Sequence, residues 1–241
     1  MQSMEDRVMA RFPYKTALIV GAGPGISASL ARRLSVLGVA VGLAARDVEK
    51  LKGLAGETGA RTFAVDASDP SAVAKLFLDT ERLIAEPDVV IYNAGSRVSG
   101  RLADLDPAAV ERCVAINAFG AFLVAQQAAK RMEPRGHGAI LFTGATAGVK
   151  GFAQSAPFAM GKFALRGLAQ SAARELGPKG IHVAHFNIDG AVRSAGRPDR
   201  PDRPDGTLDP DAVAQTYIDV LSQPRSAWSF DVDLRPWTEP F

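Results

Sequence analysis

The chain predicts an α/β fold, a single doubly wound parallel sheet with helices on both faces, and three observations carry that prediction. Short apolar runs alternate with longer helical patterns to about residue 222. The runs are rich in Val, Ile, Leu and Ala, as strands covered on both faces are. A glycine turn, Gly21 to Gly25, separates the first run from the first helical stretch, where right-handed strand–helix–strand units place a binding loop.

In chain order the strands are "TALIV" (16–20), "VAVGLAA" (39–45), "RTFAVD" (61–66), "DVVIY" (88–92), "AILFT" (139–143) and "IHVAHFNI" (181–188). Between them, "SASLARRLSVLG", "PSAVAKLFLDTERLIAE" and "FALRGLAQSAARELG" place apolar residues three and four apart, the spacing of one helix face. "GRPDRPDRPDGTLDP" (196–210) breaks the pattern with three Arg-Pro-Asp triplets. Proline there excludes a helix or a central strand. The segment is either a charged surface loop or a flap beside a ligand cleft, since it follows a strand's C-terminal end. A helix then restarts, with Asp209 as N-cap and Pro210 in its first turn. The terminal "DLRPWTEPF" is expected to be an edge strand and a packed tail. No linker marks a second domain, so residues 1–241 are expected to form one, with an N-terminal extension over 1–15 and a flexible substrate-side loop over 190–210.

A chain of 241 residues can build one sizeable core, and 47% hydrophobic with 22% charged residues is a soluble globular balance. A net charge of +2 without any Lys/Arg run argues against nucleic-acid or membrane partners. The N-terminal "MQSMEDRVMARFPYK" lacks an apolar signal core. No apolar run is expected to reach the roughly 20 residues of a membrane span. The expected location is cytoplasmic. Cys113 alone excludes an internal disulfide or a multi-cysteine metal site, and its apolar helical surroundings assign it to core packing. His137, His182 and His185 form no metal-ligand pattern. The last two share a strand at odd separation and so face opposite ways.

"ALIVGAGPGISASLARRL" runs strand, glycine loop, helix. Gly21, Gly23 and Gly25 let the backbone turn tightly and approach a pyrophosphate, which would rest on the helix N-terminus at Ile26. Together with Asp66 in "FAVDAS", "YNAG" (92–95) and "NIDGAVRS" (187–194), in this order and at these intervals, the loop resembles that of the short-chain dehydrogenase/reductase family. The resemblance covers nearly the whole chain and implies a Rossmann-type domain. It maps the family's Gly-x-x-x-Gly-x-Gly onto Gly21, Gly25 and Ser27, a serine standing where the third glycine belongs and tolerated as a small residue. It implies that Asp66 contacts the adenine amino group and that Asn93, Ala94 and Gly95 line the cofactor, with Tyr92 a departure. Gly190, Val192 and Ser194 would meet the nicotinamide, and Asp189 replaces a proline. The family also implies a homodimer or homotetramer. Small residues on 107–131 and 156–178 (Ala118, Gly120, Ala121, Ala125; Ala164, Gly167, Ala172) would then allow close contact between subunits.

The second strand ends "GLAARDVEK". Folds that prefer NAD usually place an acid there for the ribose 2′-hydroxyl, but the matching position is Ala45, followed by Arg46. A guanidinium can grip a 2′-phosphate. Arg46 is either that grip or a solvated surface residue, and the expectation is NADP(H) in preference to NAD(H).

In the resembled family, a Ser-Tyr-Lys-Asn set does the chemistry. Tyrosine protonates the forming alkoxide and serine orients the carbonyl, while lysine lowers the tyrosine pKa and holds the ribose. Asparagine anchors a water relay. Asn117 and Lys162 match. Phe158 occupies the tyrosine place and Ala145 the serine place, with Thr146 standing in if the loop shifts by one. General acid–base catalysis is worth roughly 10²–10⁴-fold and one oxyanion donor roughly 10²–10³, so the replacements matter. Substitute donors are Thr146, Ser155, Tyr92, or Lys162 through water, each of which also fits an ordinary structural role. The expected function is an NADP(H)-dependent oxidoreductase of a small molecule with a non-standard site. The alternatives are a dinucleotide-binding protein without turnover, acting as sensor or oligomer partner, and a reductase of a polarised C=C bond.

Overall fold

The structure, a computed structural model, describes residues 12–194, 196–199, 201–202 and 204–239. Most of the expected N-terminal extension, and Arg200 and Arg203 of the triplets, lie outside the described residues. The strands are β1 Thr16–Val20, β2 Ala40–Ala45, β3 Arg61–Ala64, β4 Val89–Tyr92, β5 Gly138–Thr143, β6 Ile181–Ile188 and β7 Asp231–Leu234. They form one seven-stranded sheet, ordered β3-β2-β1-β4-β5-β6-β7, and every pairing is parallel. Six occupy the predicted runs. β3 ends at Ala64, leaving Asp66 beyond the strand, although the Val65 N–H still donates to the Ala45 carbonyl at 3.0 Å. The final strand starts two residues before the stretch expected for it. Pro236, which has no N–H, cannot continue it.

The helices are α1 Ile26–Val36, α2 Lys52–Thr58, α3 Pro70–Leu83, α4 Pro107–Val114, α5 Gly120–Met132, α6 Ala156–Leu176 and α7 Pro210–Leu221. Strand side chains alternate between the two faces. Ile19, Leu43, Ile91 and Leu141 pack with Leu30 and Leu34 of α1 and with Val213 and Tyr217 of α7. Leu18, Val90 and Ile140 pack with Phe77 of α3, Val124 of α5, and Leu165 and Ala169 of α6. Fully burying each large side chain is worth about 1.5–3 kcal/mol, and both faces need it, which is why the strand runs read as continuously apolar.

Helix starts differ in a way that matters for the site. α3, α4 and α7 begin Asp-Pro, and Asp69, Asp106 and Asp209 accept first-turn backbone N–H bonds. The expected cap at Asp209 is therefore present. Between α4 and α5 the chain makes a π-helical turn, Ala115–Phe119. Helix 107–135 is long and apolar enough, by length and composition alone, to cross a membrane. That differs from the sequence expectation, and its cause is visible: the helix packs its inner side on the sheet through Ala121, Val124 and Ala128, while Phe119 and Phe122 stand exposed.

Several described residues of 190–210 are bonded to one another. The Arg193 guanidinium meets Asp199 at 3.2 Å and Asp209 at 2.6 Å. Asp199 also accepts the Thr207 N–H at 2.9 Å, and Val192 bridges Leu208.

Candidate active site

The strand order reverses between β1 and β4, and a crevice at the carboxyl ends of the strands is the place such a sheet offers a ligand. A cleft of about 330 Å³ opens there, and Gly21, Gly23, Arg46, Asp66, Asn93, Ala94 and Gly95 line it. A second cleft, of about 470 Å³, continues from it: Gly95 lines both. The second contains Ile26, Ala145, Thr146, Phe158, Lys162, Gly190 and Val192. Gly25 caps α1 between them.

Gly21 has no alternative. Its φ is +85°, and a Cβ there would lie 2.2 Å from the Ala94 nitrogen. A Cβ on Gly23 or Gly25 would meet nothing within 4 Å, so the space facing the loop is open to a ligand. α1, unlike the three aspartate-capped helices, starts at Gly25 with no side-chain cap and no acid in its first turn. Its N–H groups and positive dipole end are left for an anion. Ser27 does more than fit. Its hydroxyl donates to the Gly21 carbonyl at 3.3 Å and accepts from Asn93 Nδ2 at 2.8 Å, tying the loop to β4. Asp66 accepts from the Ser68 hydroxyl at 2.7 Å and its N–H at 2.9 Å, and these bonds hold its carboxyl below the usual range. Arg46 is exposed at the rim. Lys50, which the sequence did not single out, lines the same cleft and pairs with Asp47 at 3.1 Å.

At the second cleft the π turn directs Asn117 inward, where it is fully buried. Its Nδ2 donates to the Ser96 carbonyl at 2.6 Å and the Cys113 carbonyl at 2.8 Å, while Oδ1 has no partner among the described residues. Gly161 allows α6 to approach, since a Cβ there would lie 2.5 Å from that of Asn117. Lys162 Nζ donates to the Thr143 carbonyl at 2.8 Å. Burial pushes the Lys162 pKa down to about 8. The Phe158 ring lies beside it, its centroid 5.8 Å from Nζ.

Other expected residues are elsewhere. Ser194 does not line the cleft; its backbone pairs with that of Arg197. Tyr92 is fully buried and its hydroxyl donates to the Ile116 carbonyl; burial pushes its pKa well up. Ser155 is buried outside the cleft lining. Of the four substitute donors, Thr146 and Lys162 are the ones the cleft contains. Asp189 is buried and paired with Arg235 at 2.9 Å, which compensates the carboxylate that replaces a proline. Cys113 is buried and donates to the Ser96 carbonyl at 3.2 Å. His182 stacks on Trp228 with centroids 4.6 Å apart, while His185 meets Asp231 at 2.7 Å.

Such a crevice, with an uncapped helix behind a glycine loop and a buried lysine beyond it, defines a dinucleotide-binding α/β protein. The family model described as short chain dehydrogenase matches residues 15–200, and this chain belongs to that family, whose members bind NAD or NADP. The chain is 35% identical over 177 residues to the cyclic-di-GMP-binding biofilm dispersal mediator protein of Escherichia coli, covering 73% of this chain and 72% of that one. It is 35% identical over 181 residues to versicolorin reductase 1 of Aspergillus parasiticus, covering 72% and 68%. Among solved structures, a short-chain dehydrogenase from Rhodopseudomonas palustris matches with TM-score 0.79 and 33% identity over 92% of this chain and 99% of its own. A metagenomic short-chain oxidoreductase in complex with NADP matches with TM-score 0.81 and 29% identity, covering 92% and 97%.

Proposed function

We propose that this chain is an NADP(H)-binding oxidoreductase of one domain that keeps the cofactor-holding half of its site and lacks the usual proton-handling half. The observation that carries this reading is the continuity of the two clefts: Arg46, Asp66 and Asn93 line one, Phe158 and Lys162 the other, and Gly95 belongs to both. The residues fit the cofactor. The free N–H groups of the first turn of α1 would hold the pyrophosphate, Asp66 the adenine amino group, and Arg46 with Lys50 the 2′-phosphate. Lys162 would hold the nicotinamide ribose, with Gly190 and Val192 beside the ring. When bound, NADP(H) supplies or accepts the hydride.

Charge and protons at the reacting oxygen come from the chain's own residues. Lys162, its ammonium held on the Thr143 carbonyl, provides positive charge near that oxygen and, through water, a proton. Phe158 provides neither. Thr143 and Thr146 both line the cleft; the Thr143 hydroxyl is engaged with that of Tyr217 at 2.9 Å, which leaves Thr146 as the hydroxyl for the substrate. The presence of cations without an adjacent phenol also favours a second reading, reduction of a polarised C=C bond, where hydride goes to carbon and the oxygen needs stabilisation of its charge. A dinucleotide-binding role without turnover is the third.

Calorimetry tests the cofactor. NADPH should bind more tightly than NADH, and Arg46→Ala should remove the difference; equal affinities in the wild type would overturn the preference. NADPH absorbance against aldehydes, quinones and enones separates the three readings. Turnover of enones alone supports C=C reduction, and binding with no turnover supports the sensor.

Self-assembly belongs to the same proposal, on a surface that overlaps the expected one only in part: Ala164 and Gly167 of α6 are exposed. Gly120, Ala121 and Ala125 are buried inside the subunit, because α5 turns them toward the sheet. The exposed face is instead aromatic: Phe119, Phe122 and Phe163 are 46%, 42% and 48% exposed, with Met160 beside them at 55%. A homodimer or homotetramer would cover it. Light scattering that gives a monomer at micromolar concentration would contradict this.

A further inference from the structure

The second cleft carries more positive charge than cofactor handling uses. Arg97, Lys162 and Arg197 line it, and among the described residues no carboxylate does. Lys162 has a role in the proposal above, but the two arginines have none. Among the described residues neither forms an ion pair, whereas the nearby acids are engaged: Asp199 and Asp209 both pair with Arg193, and Asp189 pairs with Arg235. Asp199 and Asp209, which flank Arg197 in the same loop, are thus engaged by Arg193, and Arg197 lines the cleft. The first cleft differs, since Asp47 and Asp66 there stand with Arg46 and Lys50.

The walls between these cations are apolar. Phe152, Phe158, Ile188 and Val192 line the same cleft. The guanidinium carbon of Arg97 lies 5.3 Å from the Phe158 ring centroid, and Lys150 Nζ lies 5.8 Å from that of Phe152. A guanidinium resting on an aromatic face is attracted to it and keeps N–H donors for an anion. A cleft walled by low-dielectric groups and lined by one sign of charge concentrates ligands of the opposite sign. Its volume of about 470 Å³ lies within the range of small-molecule sites.

We propose that the substrate of this cleft is an organic carboxylate: an apolar or aromatic body packed on Phe152 and Phe158, with its carboxylate on Arg97 and Arg197. The inference rests on the reading of this cleft as the substrate side of an NADP(H) site, and it adds the chemical class of the substrate. Phe158 then has a positive role, since it offers the ring against which both Arg97 and the ligand body pack.

The test is a pair of isosteric probes. 2-Naphthoate and its neutral amide, 2-naphthamide, are titrated calorimetrically into NADPH-saturated protein. The acid should bind roughly tenfold or more tightly than the amide, as for a charge-assisted bond, and the gap should widen at lower salt. Arg97→Gln should close most of that gap without changing the affinity for NADPH, and Arg97→Lys should restore part of it. Arg197→Gln should act in the same direction, which keeps the test available if the Arg97 variant does not fold. Acid and amide binding alike, or neither binding at millimolar concentration while NADPH binds, overturns the inference. Failure of NADPH itself to bind overturns the cofactor reading beneath it, and the inference with it.

Discussion

The two clefts that meet at Gly95 are built on opposite plans. On the cofactor side, polar side chains are fixed by other polar groups: Ser27 to Asn93, Asp66 to Ser68, Asp47 to Lys50. On the other side, Phe158 and Ala145 stand where the family resemblance places a phenol and a hydroxyl, and charge comes from Lys162 and two arginines. In the proposed function, the contrast would mean that one fold can hold a dinucleotide with its standard framework while the adjoining chemistry is replaced. The framework sits on strand ends and the first turn of a helix. The chemistry, in that reading, would depend on single side chains at the ends of β5 and α6, which can change without disturbing either core layer.

The largest effect that would break this contrast is at Gly21. A Cβ there overlaps the Ala94 backbone in a left-handed conformation, so Gly21→Ala should weaken NADPH binding about a hundredfold or more, through a displaced loop. Calorimetry checks this, and unchanged affinity would remove the loop from the cofactor site.

Lys162 sharpens the contrast because it lines the second cleft and, in the proposed function, would also hold the cofactor's ribose. Lys162→Met should lower NADPH affinity roughly tenfold, the order of a charged hydrogen bond. Burial lowers the lysine pKa to about 8, and the ammonium is the form present below that value. NADPH affinity of the wild type should therefore fall as pH rises through about 8, and the Met variant should lose this dependence. Fluorescence titration across pH 6–10 (roughly the window around that pKa) reads both.

The smallest expected effect is at Ser27. Replacing it with the family's glycine removes two hydrogen bonds and places glycine in the first turn of α1, so Ser27→Gly should cost about 1–2 kcal/mol. Thermal unfolding should show a drop of a few degrees. An unchanged Tm would mean that the serine only fills space.

The sheet and its loop were legible because composition and order encode them: strands buried on both faces need uniform apolar runs, and a loop touching Ala94 needs glycine. Asp209-Pro210 announced its helix through the same local chemistry as Asp69-Pro70 and Asp106-Pro107. Other features left no local trace. The π turn around Asn117 lies within an apolar stretch that reads as one helix, and only packing against Gly161 and the sheet shows the change of phase. Ser27 and Asn93 are 66 positions apart, so their bond is invisible in either segment. Lys50, Arg97 and Arg197 are ordinary surface cations in sequence, and the fold alone aims them into clefts. The inward turn of Ala121 and Ala125 likewise depends on which helix face meets the sheet.

The central claim is that Phe158 and Ala145 are what separate this site from an ordinary carbonyl reductase. NADPH consumption with an aldehyde or ketone panel at pH 7 tests it directly, comparing wild type with Phe158→Tyr/Ala145→Ser, since Lys162 already stands where it would lower a tyrosine pKa. The account predicts slow wild-type carbonyl reduction and a gain of about 10²-fold or more in the double variant, exceeding the product of the single gains because both hydroxyls act on one oxygen. Brisk wild-type reduction, with no gain in the double variant, would contradict it and assign the proton to Thr146 or to Lys162 through water.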